Sequence, residues 1–136
     1  MAVVTKEEIE AFLAAEFPQS SFDLAEFCNE SITIRQRVNN SDLRPGGTVS
    51  GPTMMALADY AIYVAVLREI GLVALAVTTS FNINFLRKPQ AGKSIFANCH
   101  ILKLGKTLAI GEVSIYSDGL EDPVAHAVGT YSIPPK

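Results

Sequence analysis

The spacing of apolar residues changes along this chain, and the changes divide it into elements. Ile9, Phe12 and Leu13 recur at helical intervals behind Thr5-Lys6-Glu7-Glu8, where a Thr at the cap and a Glu three residues on form a capping box. A short helix is predicted there, stopped by Pro18. In ITIRQRV the period falls to two, with Ile32, Ile34 and Val38 inward and Thr33, Arg35 and Arg37 outward, which predicts a strand. NNSDLRPGG, residues 39–47, reads as a loop from its Asn, Asp, Pro and Gly. A long helix follows, with Pro52 at its first position, where a missing N–H is no loss, and Gly71 as its stop after Arg68 in the last turn. Its apolar residues lie almost all round, so other elements must wrap it. VTTSFNINFL then predicts a strand with Val77, Thr79, Phe81, Ile83 and Phe85 on one face and Thr78, Ser80, Asn82 and Asn84 on the other. IFANCHILK and TLAIGEVSIYS are joined by a hairpin turn at LGK, and PVAHAVGTYSI is the last strand. The expected fold class is α+β, with one buried helix laid across one curved, mostly antiparallel sheet. No linker or repeat divides residues 1–136, so a single domain is expected.

Composition narrows the class. The chain is 49% hydrophobic, enough for a core, and its net charge of −3 argues against nucleic acid. The longest apolar run reaches membrane-span length only if Asp59 is ignored, so a buried helix is expected and no membrane association. MAVVTKEEIE carries no basic or apolar leader, and Cys28 and Cys99 lack metal or redox spacing; a reducing cytoplasm is the expected compartment. GKS at 92–94 and GKT at 105–107 lack the upstream glycine of a phosphate loop and precede no helix. TVSGP lacks the Gly-x-Ser-x-Gly elbow of a serine hydrolase. His100 and His126, without ligand-spaced partners, read as core or edge histidines, and no metal or cofactor is expected. Residues 87–106 hold Arg87, Lys88, Lys93, Lys103 and Lys106 and no acid, either as solvated strand ends or as a site for a polyanionic small molecule.

The residue that asks for an explanation is Asp59. It is the only charged residue from Pro45 to Leu67, and a lone carboxylate in an apolar helix is costly unless it is paired or hydrogen-bonded. A hydroxyl, an amide or an arginine would satisfy it. The chemical alternative joins three features. Ser50-Gly51-Pro52 starts the helix, and free N–H groups there can hold a carbonyl oxygen. Asp59 can activate water or attack directly, and hydroxyls and amides lie on the next strand. Gly51 and Asp59 are eight residues apart, roughly 12 Å along one helix, so they cannot touch one carbonyl within one chain. Two antiparallel helices in a dimer would bring one subunit's Asp59 to the other's Gly51.

These residues resemble a known family, the hotdog-fold acyl-CoA thioesterases of the PaaI-like branch. There a loop leads to His-Gly-Gly and a helix carrying Leu-Ala-Asp or similar, with the Asp eight residues after the first Gly. Here Ser50-Gly51-Pro52 is followed by Leu57-Ala58-Asp59 at that spacing. NFLRKPQAG at 84–92, LKLGKTLAIGEVSIYSDG at 102–119 and AHAVGTYSI at 125–133 match the family's later segments in order, so the resemblance spans residues 31–133. It departs at Ser50 for the family's His, at Pro52 for the second Gly and at Arg44 where Asn is frequent.

The resemblance implies a hotdog fold, a sheet wrapped round the long helix, in a homo-oligomer that is a dimer at minimum and commonly a tetramer. It implies hydrolysis of a small or medium acyl-CoA, with CoA as part of the substrate. Asp59 is then nucleophile or general base, the Gly51 N–H polarises the thioester carbonyl, and Thr78 stands where some relatives hold the attacking water. Ser50, Pro52 and Tyr63 are expected beside the substrate, although Tyr63, like Tyr60, also reads as a packing residue. Arg87, Lys88 and Lys106 are candidates for the phosphates of CoA. The competing expectations are an acyl-CoA or other ligand binder without turnover, and a hotdog hydratase. The hydratase needs an acid-histidine pair that this helix lacks.

Overall fold

The computed structural model describes residues 4–18 and 20–135. Helix α1 (Lys6–Glu16) starts with the expected capping box, Thr5 accepting from Glu8 N at 3.1 Å and Glu8 accepting from Thr5 N at 3.0 Å. Its Ile9 and Leu13 are buried against the core. Strands β1 (Phe22–Phe27), β2 (Ile32–Gln36), β3 (Val77–Phe85), β4 (Ile95–Leu104), β5 (Leu108–Ser117) and β6 (Ala125–Ser132) form one antiparallel sheet in the order β1-β2-β4-β5-β6-β3. Helix α2 (Gly51–Ile70) lies in the sheet's concavity. This is the hotdog arrangement, and among the described residues no helix is long and apolar enough to cross a membrane.

Strand β1 is an addition to the sequence-based expectation. A register break between Leu24 and Glu26 inserts Ala25, so Phe22, Leu24 and Phe27 pack on the core without a strict two-residue period. Strand β2 ends at Gln36, which takes the inward position next to Ile34, while Val38 reaches the core from beyond the strand. Arg68, buried at the C-terminal end of α2, donates to the carbonyls of Cys28 and Ser31 and lies over the Phe27 ring. It thereby fixes the β1–β2 turn to the helix.

Ser50 caps α2 and Gly51 is its first residue, so Pro52 occupies the second position rather than the expected first. The ring is equally at home there, because a first-turn N–H has no partner within the helix. Gly71 closes the helix at φ 105°, a conformation other residues adopt only with strain. The sheet accepts α2 at close range through two glycines paired across β5 and β6, Gly111 and Gly129. A Cβ on either would lie 3.0 Å and 2.7 Å, respectively, from atoms of Ile62.

Strand β3 departs most from its expected pattern. A bulge between Thr78 and Ser80 makes Thr79 the extra residue, so Thr78 moves to the helix side and Ser80, Asn82 and Asn84 stay outside. Of the five residues that the alternation places on one face, only Phe81 and Ile83 pack on the core. Val77 and Phe85 are 56% and 49% exposed. As the terminal strand of the sheet, β3 leaves its outer edge unpaired.

Candidate active site

Asp59 is half-buried on α2, and its carboxylate is asymmetrically held. Oδ1 accepts from Thr78 Oγ1 at 2.6 Å and from the Tyr131 hydroxyl at 2.9 Å; among the described residues Oδ2 has no partner. Tyr131 also reaches the Asp59 carbonyl, at 3.0 Å, so β6 grips both the side chain and the backbone of this helical turn. Burial, with the Asp59 carboxylate beside it, pushes the Tyr131 phenol above its ordinary range and keeps it a donor. Thr78 reaches Asp59 only because of the Thr79 bulge. The bulge is invisible in the alternation of VTTSFNINFL, which groups Thr78 with Ser80, Asn82 and Asn84, whereas the structure brings Thr78 alone of the four to Asp59. Tyr131 had no distinguishing signal beyond a strand-interior position.

Asp59 stands between two cavities. One, of about 560 Å³, is bounded by Tyr60, Tyr63, Tyr131, Phe22 and the end of α1. The other, about 290 Å³, is an opening lined by Met55, Thr78 and Phe81. Ala56 and Asp59 line both. Tyr63, expected beside the substrate or in packing, lines the larger cavity with its ring and donates its hydroxyl to Ala74 O at 3.2 Å.

The N-terminus of α2 forms a second centre. Asp42 organises it: its carbonyl accepts from Ser50 N at 2.8 Å, and its Oδ1 accepts from Thr53 Oγ1 at 3.2 Å and Gln36 Nε2 at 3.3 Å. The Ser50 hydroxyl donates to Thr53 Oγ1 at 2.9 Å and accepts weakly from Thr53 N at 3.3 Å. Ser50 is therefore spent on capping and does not line the adjacent cavity. Gly51 and Pro52 do, and among the described residues the Gly51 N–H has no bonding partner. A Cβ on Gly51 would lie 3.3 Å from the Phe85 ring, so glycine lets the helix start against that ring.

This cavity, about 680 Å³, is also lined by Arg44, Arg87 and Lys88. Lys106 is not with them. It sits in the β4–β5 turn, at the Val77 end of the sheet, whereas Arg87 and Lys88 follow Phe85; the length of β3, roughly 26 Å at strand rise, separates them within one chain. The basic run thus divides between two ends of the sheet. His100 and His126 are neither core nor edge residues. They lie on the outer face of β4 and β6, each with Nε2 2.9 Å from a Glu112 oxygen on β5 between them. Among the described residues no His, Cys, Asp and Glu group could hold a metal ion.

The Thioesterase superfamily model matches residues 46–124, from the loop before α2 to the start of β6, and this chain belongs to that family. A candidate thioesterase of Silicibacter sp. TM1040 is 45% identical over 99% of this chain and 95% of its own, with a TM-score of 0.91. The Escherichia coli PaaI protein of the phenylacetic acid degradation operon shares the fold at 22% identity, TM-score 0.73, over 93% and 91% of the two chains. So does a hypothetical thioesterase of Streptococcus pneumoniae TIGR4 solved with coenzyme A, at 20% identity, TM-score 0.72, over 85% and 90%. No functionally curated protein matches the chain.

Proposed function

We propose that this protein hydrolyses small or medium acyl-CoA thioesters to the free acid and CoA. The observation that carries this reading is the Asp59 carboxylate, anchored through Oδ1 and, among the described residues, without a partner at Oδ2, at the junction of two largely apolar, open cavities. The superfamily gives the reaction class, and the coenzyme A held by the pneumococcal relative supports CoA as the carrier.

Oδ2 takes the proton of a water whose oxygen adds to the thioester carbon, or it adds to that carbon directly and water opens the resulting anhydride. Either way the C–S bond breaks, and the CoA thiolate leaves and gains the proton. Charge developing on the carbonyl oxygen needs a donor, and the unpartnered Gly51 N–H at a helix N-terminus suits that role. It stands about 12 Å along the helix from Asp59, so the donor comes from a second copy. The exposed nine-residue edge of β3, with Val77 and Phe85 uncovered, supports that dimer, since an unpaired edge of this length invites pairing. Arg87 and Lys88 beside Gly51 would meet the phosphates of CoA.

A second reading, acyl-CoA binding without turnover, is favoured by one observation. Ser50, at the family's His position, spends its hydroxyl on the helix cap. Thiol release from a panel of acyl-CoAs separates the two. Hydrolysis predicts turnover of at least one member and a loss of about 100-fold or more in Asp59→Asn. Binding alone predicts a rise in melting temperature with acyl-CoA and no thiol.

A further inference from the structure

The larger cavity at Asp59 has an unusual wall. Tyr60, Tyr63 and Tyr131 belong to α2 and β6, and hydroxyl bonds to Ala74 and Asp59 fix the last two. Phe22 packs against Tyr60 with ring centroids 4.3 Å apart. Phe17, the residue that caps the C-terminus of α1, lines the remaining side of this open cavity. Its ring stands edge-on to both Tyr60 and Tyr63, at 5.8 Å and 5.9 Å, and it is 40% exposed. Its backbone is tied on both sides, the N–H donating to Leu13 O at 2.8 Å and the carbonyl accepting from Ser20 N at 3.1 Å, while its side chain is held by ring contacts. Phe17 can therefore change size without opening the core.

The chemistry of the cavity selects its occupant. Aromatic rings line it, and among the described residues the carboxylates of Asp59 and Glu16 are the only charged groups in its lining. An uncharged apolar group gains from leaving water there, and an acyl chain ending in a carboxylate is repelled. The thioester carbon must lie at Asp59, which faces this cavity on one side and the smaller one on the other.

We infer that the cavity takes an uncharged acyl group and that Phe17 sets the longest acyl chain accepted; this rests on the acyl-CoA reading above. The short N-terminal helix is thus a specificity element, positioned so that its last ring gauges the substrate.

The test compares straight-chain saturated acyl-CoAs of increasing length, with one dicarboxylic acyl-CoA, across wild type, Phe17→Ala and Phe17→Trp. Turnover is read as kcat/KM. Affinity is read by calorimetry in an Asp59→Asn background, where the ligand survives. Phe17→Ala should shift the optimum to longer chains, each newly buried methylene adding roughly fourfold in affinity. Phe17→Trp should shift it to shorter ones, and every variant should disfavour the dicarboxylic acyl group. Melting temperatures close to wild type show that the variants are folded. Length profiles unchanged in both substitutions, by both readouts, overturn the inference even if hydrolysis is intact. Shifted affinity profiles with no thiol release from any substrate uphold it and refute the hydrolase reading instead.

Discussion

Removing the Tyr131 hydroxyl isolates what anchoring contributes to Asp59. Tyr131→Phe keeps the ring, 3% exposed and packed against Tyr63, and deletes the donor 2.9 Å from Oδ1. Thr78 at 2.6 Å then holds the carboxylate alone. A hydrogen bond to a charged group contributes about 1.5–3 kcal/mol. Asp59 is only half-buried, so water can partly replace the phenol, and a loss of about 1–2 kcal/mol is the better expectation. Expressed in the transition state, this is roughly a five- to thirty-fold fall in kcat. KM should stay within about twofold of wild type, because the hydroxyl faces the carboxylate and not the cavity contents. Steady-state thiol release on a good acyl-CoA gives both constants, and a thermal melt confirms folding. Thr78→Val removes the other donor, and the two changes together should be non-additive, since both act on one oxygen. A Tyr131→Phe enzyme with wild-type kcat and a raised KM would refute the reasoning, because the phenol would then be a substrate contact.

Three further outcomes are expected. Gly129→Ala places a Cβ 2.7 Å from Ile62 Cδ1 and should cost about 1–2 kcal/mol in denaturant melts, the overpacking exceeding the lower entropy cost of fixing Ala. Adding Ile62→Val deletes that atom and should recover part of the loss; strictly additive losses would mean the contact is not limiting. The Glu112 carboxyl is held below its usual range, first by its hydrogen bond from His126 and then by the charge of the two histidines. Its folded value lies under the unfolded one, so its contribution is present above about pH 4.5 and is lost as pH falls below that. Wild type should therefore lose its stability advantage over Glu112→Gln in that acidic window, and an advantage that persisted below it would contradict the assignment. Arg87→Ala and Lys88→Ala should each raise KM for acyl-CoA severalfold with kcat unchanged and weaken its dependence on salt; a fall in kcat at constant KM would place them elsewhere in the reaction.

The long helix was legible because Pro52, Gly71 and an all-round apolar pattern agree on one buried element. The hairpin at Gly105 and the last three strands were legible because their alternation is regular. Periodicity failed where the backbone breaks period. Ala25 hid β1, and Thr79 reversed the face of Thr78. Asp59 stood out as a charge where none is tolerated without cause, and Gly51 followed from its place at the helix start. Tyr131 and Phe17 did not stand out, because their roles arise from β6 and α1 meeting α2, a juxtaposition no local pattern encodes. The basic run misled in the opposite way: residues close in sequence were carried to opposite ends of the sheet by one strand, β4.

Mixing two inactive chains tests whether each site is shared between two subunits. Asp59→Asn removes the carboxylate, and Gly51→Pro removes the N–H at a first helical position, after an extended Ser50, that suits proline; the Phe85 ring, 3.3 Å from the new Cβ, must turn aside, and a melting temperature close to wild type shows that it does. Each variant alone should be nearly inactive in thiol release. Co-refolded in equal amounts, half of the dimers are mixed, each with one doubly damaged and one intact site, so about a quarter of wild-type activity should return. Activity that stays at the level of the separate variants, although mixed dimers have formed, would mean that Asp59 and Gly51 do not meet across the interface.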